Sequence, residues 1–131
     1  MTPLRRPAAR LGLLALCAAA LAGCGQSVEA PYIKGACYTM TKSGGPKGKI
    51  EFHLLTTNVP DLEHCGAALE AVRLRFLSLG GTRTVLDGAY QGQFIFVEPE
   101  GISTSTALDK SPFLILVRTG DGHLVQPGAN H

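Results

Sequence analysis

The strongest regularity in the chain is a three-and-four spacing of apolar residues: Leu62, Cys65, Leu69, Val72, Phe76 and Leu79. Side chains so spaced fall on one stripe of an α-helix, because a 3.6-residue turn returns every third or fourth position to the same face. One long helix is therefore predicted between Asn58 and Gly81. Asn58 or Asp61 caps it, Pro60 is tolerated in its first turn, and Gly80-Gly81 stops it. Glu63, His64, Glu70, Arg73 and Arg75 lie mostly off the stripe. Glu70 with Arg73 reads as a solvated pair, worth roughly a few tenths of a kcal/mol.

Elsewhere the period is two. Residues 36–41 read as a strand, 43–48 are dense in turn residues, and 49–56 alternate Ile50, Phe52 and Leu54 on one side, which makes a hairpin. After the helix, 82–86 and 90–97 flank Asp87-Gly88, a hairpin-type dipeptide. In the second of these strands Tyr90, Phe94 and Phe96 share one face, and Gln91 and Gln93 occupy the other. Residues 101–112 read as a polar connection or one short helical turn, 113–118 as a short apolar strand, and 119–122 as a turn toward 123–125. The expected fold class is α+β: a small, mostly antiparallel sheet with one long helix packed on one face, forming a single domain over residues 36–131. The strands before and after the helix can be parallel through a right-handed crossover.

The N-terminal pattern is of another kind. Arg5, Arg6 and Arg10 precede an uninterrupted apolar run over residues 11–22. That run suits the roughly 7–15 residues of a signal-peptide core and falls short of the roughly 18–20 that span a bilayer. It ends in Leu21-Ala22-Gly23-Cys24, which resembles the lipobox of bacterial lipoproteins. The resemblance covers residues 1–24 alone. It implies cleavage after residue 23, a thioether-linked diacylglycerol on Cys24, and an anchor whose buried methylenes contribute about 0.8 kcal/mol each. Residues 24–35 then form a lipidated tether. Gly25 in place of Asp resembles the signal for onward transport, so an outer membrane facing the periplasm is expected over an inner one if the cell has one. The competing reading is an ordinary secretory signal cut near Ala20 or Ala22, leaving Cys24 as a thiol.

Charge adds little until the signal is removed. The 131 residues hold 12 Lys+Arg against 10 Asp+Glu, and loss of three arginines turns a net +2 into −1. With no basic run, nucleic acid is not an expected partner. Cys17 leaves with the signal and Cys24 with lipid, so Cys37 and Cys65 remain as the pair expected to form a disulfide in an oxidising compartment. A redox pair, a metal site and two buried thiols are the alternatives, the first two without CxxC spacing.

Reactive constellations are hard to find. His53, His64, His123 and His131 match no metal-ligand spacing, and Ser43, Ser78, Ser103, Ser105 and Ser111 lack a nucleophile motif. Glu98 and Glu100 flank a proline in a solvated turn. No catalytic residue, metal or cofactor is assigned. Gln91 and Gln93 are the candidate binding surface, for a glycan or a partner strand. The expectation is a non-enzymatic cell-envelope lipoprotein, held to the membrane by lipid, that binds an envelope protein or peptidoglycan. A small-molecule or lipid carrier and a small envelope enzyme or redox protein are the runners-up.

Overall fold

The computed structural model describes residues 28–45, 48–121 and 123–128. The signal segment, Cys24 and His131 lie outside the described residues. The elements are β1 (Cys37–Ser43), β2 (Lys49–Thr56), α1 (Leu62–Ser78), β3 (Leu86–Tyr90), β4 (Gln93–Val97), β5 (Gly101–Ser105), β6 (Phe113–Arg118) and β7 (Leu124–Val125). They form a seven-stranded sheet in the order β2-β1-β3-β4-β5-β6-β7, antiparallel at every pairing, with α1 against it. The α+β class is as expected. The strands on either side of the helix, β2 and β3, run in the same direction but are separated by β1.

Both helix ends follow from local chemistry. The Asp61 carboxylate accepts the His64 backbone N–H at 2.8 Å, satisfying one of the donors that a helix start leaves free. At the other end Gly80 has φ +91°, and the Gly81 and Gly80 N–H groups donate to the Phe76 and Leu77 carbonyls. That pair of bonds is a Schellman stop, which needs a left-handed residue after the cap and so favours glycine there.

Five readings of the sequence need correction. The hairpin after the helix turns at Gln91-Gly92, whose φ values of 43° and 81° match a type I′ turn, and Asp87-Gly88 lies within β3. Residues 82–85 are not strand, and the supposed polar connection contains β5. Tyr90 does not share a face with Phe94 and Phe96: it pairs with Gln93, joins the core under α1, and donates its hydroxyl to the Val59 carbonyl at 2.6 Å. The helix stripe also turns as it runs, so that Cys65 and Leu69 are buried while Phe76 and Leu79 are exposed.

The core between helix and sheet is built from Cys37, Cys65, Leu69, Tyr90, Ile95, Val97, Ile102 and Leu116. On the opposite face Tyr38, Met40, Ala89 and Phe94 are buried, and Phe94 meets Phe52 with ring centroids 6.2 Å apart. Strands β2 and β4 are three spacings apart, about 14 Å on a flat sheet. Both rings therefore lean across the strands between them. Close helix seating requires Gly88, where an added Cβ would lie 2.4 Å from the Tyr38 carbonyl oxygen and 2.5 Å from a Leu69 methyl.

Cys37 and Cys65 form a disulfide that joins the first strand to the first turn of the helix, both residues being fully buried. For the 28-residue separation, chain entropy assigns about 3.6 kcal/mol of stabilisation. Replacing both cysteines by alanine should lower unfolding free energy by roughly 3–4 kcal/mol in urea titration. Gly88→Ala should cost about 1–3 kcal/mol or more in the same measurement, because backbone is one of the colliding partners.

Candidate functional site

The helix carries its least expected side chains toward the protein. Glu70 and Arg73, read from sequence as a solvated pair, are buried, with the Glu70 side chain only 9% exposed. Arg73 donates to Glu70 from Nε at 2.8 Å and from Nη2 at 2.9 Å. From β6, Arg118 grips the same carboxylate through Nη2 at 2.6 Å and Nε at 3.0 Å. One carboxylate thus receives two forked guanidiniums, the geometry in which charged hydrogen bonds are strongest.

Two cations on one anion leave a surplus positive charge, and the remaining donors go to carbonyl oxygens. Arg73 Nη1 reaches Thr84 O at 3.3 Å, and Arg118 Nη1 reaches Pro99 O at 2.7 Å and also Glu98 O. The cluster therefore ties α1 to β6, to the β4–β5 turn, and to the segment between α1 and β3. Burial pushes the Glu70 carboxyl up, but the hydrogen bonds and charges of the two arginines together outweigh it and hold it below the usual range. Arg73 is raised, chiefly by its bond to Glu70. The spacing of Arg73 from Glu70 was visible in sequence; the part played by Arg118, 48 residues away, was not.

Arg73 ties Thr84 to the helix, and beside this contact, between α1 and the segment that follows it, lies a cleft of about 480 Å³. Val72 and Phe76 form one wall and Thr82, Arg83, Val85 and Leu86 the other, with Arg73 at the base. Leu74, Phe76, Leu79 and Val85 are exposed large apolar side chains around this end of the helix. The cleft is apolar with a guanidinium at its rim, a lining that suits a protein segment more than a sugar. Asp87, half-buried on the far face of the sheet, has its carboxyl pushed up by burial and by the charge of Glu98, against the pull of Arg83.

The two glutamines are not on one strand face. Gln91 sits in the β3–β4 turn, where its Oε1 accepts the Gly35 N–H at 2.8 Å and holds the N-terminal segment. Gln93 accepts the Thr104 hydroxyl at 3.2 Å and lines a notch of about 350 Å³ with Thr104, Ser105, Thr106, Lys110 and Ser111. His53 is exposed beside Thr41 and Glu51, His64 is exposed beside Asp61, and His123 is exposed. Among the described residues no group of three or more His, Cys, Asp or Glu is placed to hold a metal ion.

Removing the clamp should be costly in a way that depends on pH. Glu70→Ala leaves two largely buried guanidiniums without their counter-ion and should lose roughly 3–5 kcal/mol. In the wild type the depressed Glu70 carboxyl contributes stability that is complete above its unfolded value near 4.5 and is lost as pH falls through the lower folded value. Glu70→Gln should flatten that acid limb in urea titrations from neutral to acid pH. Comparisons of the chain with protein-family models, curated proteins and solved structures return no match.

Proposed function

We propose that the chain is a lipid-anchored cell-envelope protein whose disulfide-stapled domain binds another envelope protein without catalysis. The observation that carries the reading is the mainly apolar cleft beside the C-terminal half of α1, bordered by Arg73 of the Glu70 cluster. Two features support export and anchoring. The Cys37–Cys65 disulfide belongs to an oxidising compartment. Leu21-Ala22-Gly23-Cys24, which resembles a lipobox, precedes the domain by the short segment 25–35.

Of the two partner classes expected from sequence, the apolar walls favour a protein segment over peptidoglycan, whose hydroxyls and amides need polar counterparts. The negative residues of a partner would meet Arg83 at the rim. A carrier of small molecules or lipid is the second reading, supported by the cleft's size, which lies within the roughly 300–1,000 Å³ of ligand pockets. The space between helix and sheet is itself filled by Leu69, Ile95, Val97 and Ile102.

A photo-reactive residue placed at Val85 in the full chain, in living cells, tests the reading. The expected outcome is a crosslink to one envelope protein that Phe76→Ala weakens and that the same probe at Glu51, on β2, does not form. Absence of any protein adduct at Val85, with a small molecule retained by the purified chain in native mass spectrometry, would favour the carrier.

A further inference from the structure

The sheet has two ends, and the chain enters the described structure at one of them. Val28 to Gly35 lie at the end where β2, β3 and β5 finish and where β1, β4, β6 and α1 begin. The segment is fastened there. Gly92 N–H donates to Pro31 O at 3.1 Å, Gly35 N–H donates to Gln91, and Val59 N–H donates to Gly35 O at 2.9 Å. Tyr32 stands beside Gly92.

That end leaves large apolar side chains in solvent. Tyr32 is 71% exposed, Ile33 61% and Phe113, at the start of β6, 74%, with Leu108 exposed in the neighbouring β5–β6 connection. Isolated exposed apolar residues need no explanation, but two aromatics and two aliphatics at one end of a small domain do. Their charges offer no clear preference: Lys34 and Lys110 are offset by Glu29 and Asp109.

The length of chain ahead of Val28 says what covers them. Cys24 precedes Val28 by four residues, which span at most about 14 Å when extended. A diacylglycerol on Cys24 places that residue at the base of the headgroup layer, itself about 5–8 Å thick per leaflet. So short a tether keeps the Val28 end of the domain at the membrane surface. Tyrosine is suited to that depth, its ring apolar and its hydroxyl wet.

We propose that Tyr32, Ile33, Leu108 and Phe113 lie in the headgroup layer of the membrane that holds Cys24, fixing the orientation of the domain. The inference rests on the reading of Cys24 as lipid-anchored. Gln91 and Gln93, hydrogen-bonded to Gly35 and Thr104, then lie at the membrane-proximal end. The cleft by Phe76 and Val85 points away from the membrane, about one strand length, roughly 20 Å, above it.

The chain has no tryptophan, so single-tryptophan variants report cleanly. Tyr32→Trp, Phe113→Trp and, at the opposite end, Leu79→Trp are purified as full lipidated chains. Each is reconstituted into phosphatidylcholine vesicles with and without brominated acyl chains, and intact mass is recorded on the same samples. The Tyr32→Trp and Phe113→Trp variants should lose about half of their emission to the brominated lipid, with Leu79→Trp unchanged. An acylated chain in which positions 32 and 113 are quenched no more than position 79 overturns the orientation and leaves the anchor standing. A chain without acyl mass on Cys24 overturns both.

Discussion

A single buried carboxylate decides how the helix sits. Glu70 cannot be charged under the helix unless its charge is met there, and it is met twice, by forks from Arg73 on its own helix and Arg118 on β6. Breaking such a cluster costs far more than its formation contributes, since each member left behind is a desolvated ion. The spare donors then fix what lies around it: Thr84 on one side, Pro99 and Glu98 on the other. The disulfide holds the first turn of α1 to β1, and the carboxylate holds the middle of the helix to the opposite half of the sheet. Between them the helix is fastened on both sides, and its C-terminal turns form one wall of the cleft.

Structure and proposed role meet in the division of the molecule into two ends. The strap of residues 28–36 closes the end nearest Cys24 with backbone bonds to the β3–β4 turn and to Val59. The far end is shaped by the Schellman stop, by Phe76 packing against Gly81, and by the clamp. An apolar cleft at the end opposite the chain's entry suits the proposed role of a membrane-held binding module. The clamp supplies the stiffness, because a preformed cleft avoids the entropy of ordering a loop on binding.

Where local chemistry governs, the sequence was legible. Asp61, one of two candidate caps with Asn58, and Gly80-Gly81 marked the helix, the alternation in 49–56 marked β2, and Cys37 with Cys65 marked the staple. The failures came where distant residues decide. Asp87-Gly88 is a better hairpin dipeptide by composition than Gln91-Gly92, but Gly88 is needed flat beneath Leu69, and a turn there would remove the helix seat. Residues 101–105 looked polar because Ser103 and Ser105 face away from α1, while Ile102 supplies the core. The stripe of α1 predicted Phe76 and Leu79 inside and Glu70 outside; the partner that reverses this, Arg118, lies at the end of an apolar strand that showed no sign of it. The cleft beside Phe76 was not visible in the sequence.

Backbone amide hydrogen exchange of the oxidised native protein tests the double fastening of the helix most directly. If the helix is clamped from both sides, the amides of Arg73 to Phe76 exchange as slowly as those of Leu69 and of Ile95 in β4, through global unfolding alone. Fast, local exchange over Arg73 to Phe76, with the first turns near Cys65 still protected, would contradict it: the disulfide alone would then hold the helix, and the cleft would not be preformed.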